Sequence, residues 1–240
     1  MGEGNVKVSF KDKVAVDLGR VVEIKDGERV GIIGSNGAGK TTLLRSILGL
    51  VPHKGNITLS IPSNEIAVHM QQNSYIETVP IRVIIEMIMG CRINENPKLV
   101  EMIKFFEFEE CLKKRWKHLS GGQKQRLTLI LVMCKDSEIA MFDEVTSGLD
   151  FETRQRLVEK LVEWYRDRKT TLLITSHYYT ELDNLATKIL YLNLLERALL
   201  ILYTIVQMVG LQDRAMCYEQ FYPLVLSMPG LIQDDYDHEC

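Results

Sequence analysis

The segment Gly34-Ser35-Asn36-Gly37-Ala38-Gly39-Lys40-Thr41 matches the pattern GxxxxGK[ST]. The Val/Ile-rich run Arg29–Ile33 before it predicts a buried strand, and the residues after it predict a helix from about Lys40 to Leu50. In that context the glycines let successive backbone N–H groups and the helix dipole face a phosphate. Lys40 can reach the β and γ phosphates, and the Thr41 hydroxyl can bind magnesium. The alternative is a tight strand-to-helix turn that binds no ligand.

The composition is that of a globular protein. With 240 residues, of which 46% are hydrophobic and 25% charged, we expect one domain with an inserted lobe. The formal net charge of -3 does not indicate the basic face that drives binding to nucleic acid, so no nucleic-acid partner is expected. The five cysteines form no CxxC pair, which argues against a disulfide framework or a zinc site and favours a reducing cytosol.

Short Val/Ile-rich runs alternate with amphipathic runs along the chain. This pattern is typical of βα units, so the sequence predicts an α/β fold with a mostly parallel central sheet. Further strands are predicted at Val6–Phe10, Ile139–Phe142 and Thr171–Thr175. Met, Ile, Glu and Lys at helical spacing predict a helical subdomain at 73–117. Within a single domain, 1–240, this leaves a core of 1–72 and 118–193 and a carboxyl-terminal helical extension, 194–240.

The carboxyl-terminal extension is unusually apolar. Leu194–Gly210 is apolar nearly all the way round, which predicts either a buried helix or one covered by another subunit. The most apolar stretch, Ala198–Leu211, has about 14 residues, fewer than the roughly 20 that span a bilayer. If a membrane is involved, we expect a partner to supply the span.

The run Leu119-Ser120-Gly121-Gly122-Gln123 is a second candidate anion site. It precedes KQRLTLILVMC, which predicts an amphipathic helix, so its N–H groups would lie at a helix start. The alternative is a capped helix with a structural role only. Together with the first motif, this LSGGQ run resembles the ABC-type ATPase family, in which it is the signature motif. The resemblance covers nearly the whole span from Phe10 to Asn193 and implies a P-loop NTPase fold with amino-terminal antiparallel strands.

The resemblance also implies roles for carboxylates. The apolar run EIAMFDE looks like the family's Walker B strand, which implies that Asp143 holds Mg²⁺, directly or through water, and that Glu144 polarises the attacking water. Such carboxylates can also merely solvate a strand end or cap a helix. Ser147–Asp150 is similar to the D-loop, in which Asp150 would help to organise the opposite site of a dimer; Asp150 is equally a predicted N-cap. Val145 replaces the proline usual at its position, which makes this loop less rigid.

Three further residues match family positions. His177 follows the apolar run TLLIT and looks like the switch histidine that contacts the γ phosphate, although a lone histidine after a strand can be incidental. Gln71 resembles the Q-loop glutamine that senses Mg²⁺ and the attacking water, and Gln72 is the alternative register. Phe10 is the candidate for stacking on adenine or, equally, a core residue of its strand. Thr42, directly after the first motif, completes the predicted ATP-binding set.

In the family, the signature motif of one subunit closes over ATP held by another. The resemblance therefore implies a homodimer, or a heterodimer with another ABC ATPase subunit. It implies ATP hydrolysis with Mg²⁺ by the energising subunit of a membrane transporter, peripheral on the cytoplasmic face through an integral membrane permease subunit. The alternative is a soluble ABC ATPase that drives remodelling or assembly. A third interpretation, ATP as a structural ligand only, is disfavoured by Asp143, Glu144 and His177.

Overall fold

The structure is a computed structural model that describes residues 6–11, 13–19, 21–70, 75–177, 179–183 and 185–192. Its strands are β1 (Lys7–Phe10), β2 (Lys13–Asp17), β3 (Arg29–Ile33), β4 (Ala67–His69), β5 (Ile139–Asp143), β6 (Thr171–Ser176) and β7 (Lys188–Tyr191). Strands β1 and β2 form an antiparallel pair, and the others form a parallel sheet in the order β4-β5-β6-β3-β7. The α/β prediction, with its mostly parallel sheet and amino-terminal antiparallel strands, is confirmed.

The central strands are buried along their whole length. Every residue of β5 and β6 is buried, as expected for parallel strands covered on both faces, which read as continuous apolar runs. The predicted bounds of β3 are those observed. Strands β5 and β6 each extend one residue further than predicted, to Asp143 and Ser176, because both polar side chains find partners at the strand end.

The helices are α1 (Lys40–Ile47), α2 (Ile81–Met89), α3 (Pro97–Phe105), α4 (Gly121–Cys134), α5 (Phe151–Tyr165) and α6 (Tyr179–Asp183). Helix α1 ends three residues before the predicted Leu50. Gly49 takes a left-handed conformation, with φ 73°, and its N–H bonds to the Ser46 carbonyl. The Leu50 N–H bonds to the Arg45 carbonyl, which completes a Schellman motif and stops the helix.

The described residues of the predicted subdomain, 73–117, contain α2, α3 and short 3-10 turns. Helix α3 begins at Pro97, which fits the first helical position, and the Asn96 side chain caps it by accepting from the Leu99 N–H at 3.1 Å. The apolar faces of the two helices supply fully buried side chains such as Ile81 and Met102. The segment is helical as predicted, whereas the domain boundaries stay a prediction.

Helix α4 differs from the prediction of an amphipathic helix. From Leu127 to Cys134 every residue is buried. The reason is that α4 contacts β4 of the sheet as well as α2 and α3 of the lobe. Near its start, Arg126 also donates to the Phe106 carbonyl at 3.1 Å. This helix therefore joins the lobe to the sheet, and no side of its second half faces water.

Two predicted features lie outside the described residues: Gln71, with its neighbour Gln72, and the extension 194–240. Of the helices in the described ranges, none combines the length and the apolar character that crossing a bilayer requires. Cys91, Cys111 and Cys134 are free thiols.

Candidate functional site

Three strands of the parallel sheet end at one edge, and each leads into a predicted site residue. Ile33 of β3 is in register with Ser176 of β6, and Asp143 of β5 with Thr175 of β6. The segments after these strands therefore begin side by side. The carboxyl ends of parallel strands are where open α/β sheets bind ligands.

The turn between β3 and α1 depends on glycine. Gly39 has φ 96°, and a Cβ atom there would lie 2.4 Å from the carbonyl oxygen of Ala15 in β2. Only glycine allows so close an approach. The outer part of the turn, Ser35–Gly37, is exposed, and a Cβ atom on Gly37 would meet nothing within 4 Å. The loop thus packs closely against β2 at Gly39 and is exposed to solvent at Ser35–Gly37.

The start of α1 suits an anion. Among the described residues no side chain caps this helix, and no acidic residue lies in its first turn. By contrast, Ser120 caps α4 and Asp150 caps α5. The first N–H groups of an uncapped helix carry partial positive charge, which favours a phosphate at Lys40, Thr41 and Thr42.

Lys40 folds back over this turn. Its Nζ donates to the carbonyl of Gly34 at 2.7 Å and to that of Ser35 at 3.3 Å. It lies 3.8 Å from Glu144 Oε1, and the residue is only 4% exposed. Burial lowers the pKa of Lys40 from its usual value, and the carboxylates of Glu144 and Asp143 oppose that shift. The turn thus places a buried ammonium group beside helix N–H groups.

Asp143 is fully buried, and one of its oxygens has no hydrogen-bond partner in the part of the chain that the structure describes. Its Oδ1 accepts from Thr41 Oγ1 at 3.1 Å and from Thr175 Oγ1 at 2.8 Å. Its Oδ2 has no hydrogen-bond partner among the described residues. An unsatisfied buried carboxylate oxygen is costly, and Mg²⁺ prefers one or two such oxygens completed by water and phosphate. Asp143 and Thr41 therefore fit a magnesium ion.

Glu144 and His177 form a pair beside Lys40. Glu144 Oε1 lies 2.7 Å from His177 Nε2, and His177 Nδ1 lies 3.3 Å from Lys40 Nζ. Because an ammonium group only donates, Nδ1 accepts from Lys40, and Nε2 carries the hydrogen that it donates to Glu144. Five predicted residues thus form one cluster: Lys40, Thr41, Asp143, Glu144 and His177.

The sequence prediction missed Thr175. Its hydroxyl donates to Asp143 Oδ1 and accepts from the Glu144 N–H at 2.9 Å. Glu144 has φ 49°, a left-handed conformation that is unfavourable for a non-glycine residue and that this bond helps to hold. The available signal was a threonine at the end of an otherwise apolar run, just before His177.

His69 was also missed. It ends β4 and stacks on Phe142 of the neighbouring strand, with ring centroids 6.4 Å apart. It is 4% exposed, and burial lowers its pKa to about 4, although a hydrogen bond to the Asp143 backbone opposes the shift. The imidazole is therefore neutral at pH 7 and packs beneath Asp143.

The signature segment and Asp150 make local contacts. Ser120 and Gln123 form a capping box: the Gln123 N–H bonds to Ser120 Oγ, and the Ser120 N–H to Gln123 Oε1. The Asp150 side chain caps α5 through the N–H and hydroxyl of Thr153, and these bonds lower its pKa. None of the hydrogen bonds of these three side chains within the described part of the chain reaches Lys40. A Cβ atom on Gly121 would meet nothing within 4 Å.

Phe10 lies on the surface of β1 and is 51% exposed. The alternative that it is a core residue is therefore wrong. Its neighbouring strand β2 packs against Gly39, which brings the antiparallel pair to the phosphate turn. Stacking on adenine stays a prediction.

Comparisons with known proteins agree with this geometry. A family model described as "ABC transporter" matches residues 20–147. The manganese transport system ATP-binding protein MntB of Listeria innocua is 31% identical over 202 residues, which cover 78% of this chain and 83% of that protein. The Nod factor export ATP-binding protein I of Burkholderia orbicola is 32% identical over 199 residues, or 77% of this chain and 65% of that protein. The dimeric structure of a bacterial ABC transporter cassette has a TM-score of 0.67 at 22% identity, covers 80% of this chain and 93% of its own, and bears on the fold alone.

Proposed function

Because this chain belongs to the ABC transporter family, we propose that it binds and hydrolyses ATP as the energising subunit of a membrane transporter. The observation that carries the proposal is the cluster of Lys40, Glu144 and His177 beside an uncapped helix start. This arrangement combines an anion site with a carboxylate and an imidazole, the groups that phosphoryl transfer to water requires.

Binding begins at the phosphate turn. The N–H groups of the 34–42 segment surround the phosphates, and Lys40 exchanges its carbonyl partners at Gly34 and Ser35 for phosphate oxygens. A charged acceptor is the stronger partner for an ammonium group, so this exchange favours the bound state. Phe10, exposed on β1, supplies a ring on which adenine stacks.

Asp143 and Thr41 hold the magnesium ion that accompanies ATP, and Gln71 contributes a further oxygen. The ion, when bound, neutralises charge on the phosphate oxygens. The free Oδ2 of Asp143 supports this role, because it is the one oxygen of the carboxylate without a hydrogen-bond donor in the described part of the chain. Thr175 holds the other oxygen and so fixes the plane of the carboxylate.

Hydrolysis transfers the γ phosphoryl group to water. Glu144 accepts a hydrogen bond from a water molecule and takes its proton as the water oxygen attacks the γ phosphorus in line with the bond to the β-phosphate oxygen; the proton then passes to the phosphate product. That bond breaks, and ADP leaves with its electron pair. When ATP is bound, His177 exchanges Glu144 for the γ phosphate as the acceptor of its Nε2–H, so that the Glu144 carboxylate can accept from the water. Lys40 stabilises the charge that develops on the leaving oxygens.

A dimer completes each site. The exposed start of α4, with Ser120–Gln123, and the cap residue Asp150 make no hydrogen bond to the phosphate turn of their own chain within the described residues. We propose that they contact the nucleotide held by a second subunit, in a homodimer or a heterodimer. The dimeric form of a solved relative supports this arrangement. In related enzymes, groups supplied by a partner change the rate by about 10³ to 10⁵.

Transport is supported by two relatives, which are the ATP-binding proteins of a manganese transport system and of Nod factor export. We propose an integral membrane permease subunit as the partner, with this chain on the cytoplasmic face. The helical lobe then passes the motion of the dimer to the permease.

The test has two parts. Purified full-length chain should release phosphate from ATP with added Mg²⁺ and lose this activity when EDTA removes the metal. Tagged chain from gently solubilised membranes should co-purify with a multi-span membrane protein, identified by mass spectrometry. Absence of magnesium-dependent turnover would contradict the ATPase proposal. Recovery of soluble assemblies alone would contradict transport and favour remodelling.

A further inference from the structure

A second buried carboxylate lies behind the cluster. Glu181, in α6, is 6% exposed, and none of the roles proposed above uses it. A carboxylate at this depth is costly to bury unless several donors surround it. The identity of those donors therefore indicates what Glu181 holds in place.

The Glu181 carboxylate joins three separate elements. Its Oε2 accepts hydrogen bonds from Thr146 Oγ1 at 2.7 Å and from Ser176 Oγ at 2.5 Å. Its Oε1 lies 3.5 Å from Arg154 Nε in the first turn of α5. The loop after β5, the end of β6 and the start of α5 thus meet at one side chain.

Two of these partners stand next to the hydrolytic pair. Thr146 follows Glu144 by two positions, and Ser176 directly precedes His177. Thr146 is 3% exposed and Ser176 2%, so water cannot easily replace the carboxylate as their acceptor. Glu181 therefore connects the segment that carries Glu144 to the segment that carries His177.

The third partner reaches the segment that we propose faces a second subunit. Arg154 donates through Nη2 to the backbone carbonyl of Leu149 at 3.3 Å, and Leu149 directly precedes Asp150. The Arg154 side chain is 22% exposed, so its charge lies at the edge of the buried network. Arg154 thereby connects the Asp150 segment to Glu181 through one side chain.

We propose that Glu181 is a positioning residue that holds the loops carrying Glu144, His177 and Asp150 in a fixed relative orientation. Dimer closure at Asp150 is then transmitted to the hydrolytic pair. This inference rests on the ATP hydrolysis proposed above. Glu181 acts through its hydrogen-bonded partners and makes no contact with the nucleotide.

Two substitutions test this role with little change in shape. Glu181→Gln keeps one accepting oxygen, but its amide nitrogen can only donate, so it opposes either Arg154 or the hydroxyl donors. Thr146→Val removes one donor. The matched control is Glu28→Gln, which makes the same chemical change in the ion pair of Glu28 with Lys188, at the amino-terminal edge of the sheet.

The measurements are kcat, the affinity for a slowly hydrolysed ATP analogue, and amide hydrogen exchange without nucleotide. Glu181→Gln should lower kcat about 10-fold to 100-fold with analogue affinity within about twofold of wild type, and Thr146→Val should act in the same direction. Glu28→Gln should keep the wild-type kcat. Exchange should accelerate at 144–150 in Glu181→Gln and stay unchanged at 29–33.

The outcomes separate this proposal from the one on which it rests. If wild type hydrolyses ATP and both variants keep its kcat, Glu181 is structural only and the positioning role is wrong. A loss of analogue affinity equal to the loss of kcat also contradicts it. If Glu181→Gln does not fold, the kcat and the analogue affinity of Thr146→Val test the positioning role instead, and a wild-type kcat in that variant contradicts it. An inactive wild type would overturn the ATPase proposal and the positioning role together.

Discussion

Replacing Thr175 by valine should lower both the stability of the protein and its rate of hydrolysis, because one hydroxyl supports both Asp143 and Glu144. The variant loses a bond of 2.8 Å to a buried carboxylate and a bond of 2.9 Å from the Glu144 N–H. A hydrogen bond to a charged group contributes about 1.5–3 kcal/mol, and an unsatisfied buried N–H costs about 1–3 kcal/mol. Asp143 keeps its bond from Thr41, so we expect the free energy of unfolding to fall by about 3 kcal/mol.

The folded fraction of the variant should also lose activity. Without the Thr175 bond, the Glu144 backbone at φ 49° loses a contact that holds it in this conformation, and we expect its carboxylate to shift from the position beside His177. A shift of about 1 Å in such a group lowers the rate about 100-fold. At temperatures at which the variant is still folded, steady-state kcat should therefore fall about 100-fold.

Thr171→Val is the matched control for this experiment. Thr171 begins the same strand, is buried, and accepts one bond from the Gly27 N–H at 2.9 Å. Its replacement should lower the free energy of unfolding by about 1 kcal/mol and leave kcat unchanged. Urea unfolding and phosphate release measure the two quantities. A Thr175→Val protein with the kcat of wild type would refute the reasoning.

Three further substitutions probe binding. Lys40→Ala should weaken ATP affinity at least about tenfold, since the phosphates lose their charged partner, and unchanged affinity in a filter-binding assay would remove Lys40 from the site. Gly39→Ala should abolish binding and lower the melting temperature, because its Cβ atom would lie 2.4 Å from a backbone oxygen. Gly37→Ala meets no atom within 4 Å, so it should lose only about 1–2 kcal/mol, which its left-handed φ of 80° costs an alanine, and should stay folded. Equal effects of the two substitutions would contradict this reasoning. Phe10→Ala should lower ATP affinity by about 1–2 kcal/mol without loss of stability, whereas Val14→Ala on the same sheet should leave affinity intact. Equal affinities in those two variants would exclude stacking on Phe10.

Local patterns were sufficient to predict much of the site. The glycine-rich segment predicted the roles of Lys40 and Thr41, and the resemblance to the ABC-type ATPase family implied that Asp143 and His177 belong to the same site, where the structure brings them together. Each signal is contained in a few consecutive residues. The bounds of β3 and the start of α1 follow for the same reason.

Contacts between distant segments could not be predicted in this way. Thr175 and Asp143 are 32 positions apart and meet only through the register of β5 and β6. Glu181 lies 35 positions from Thr146 and is buried although it is charged, contrary to the usual preference of its residue type. The full burial of α4 after Leu127 depends on the lobe packing over it. Such features depend on contacts between distant segments of the chain. The residue pattern within one segment does not show which other segment packs against it.

In the proposed function, ATP joins two copies of the site and Glu144 ends this state by hydrolysis. The most direct measurement is the mass of Glu144→Gln in Mg-ATP by size-exclusion chromatography with light scattering. Removing the carboxylate should block water activation and leave the phosphate turn intact, so the account predicts a stable dimer that retains ATP. Adding Ser120→Arg at the exposed start of α4 should return this variant to monomers that still bind ATP. A Glu144→Gln chain that hydrolyses ATP at the wild-type rate, or binds ATP and stays monomeric, would contradict the account.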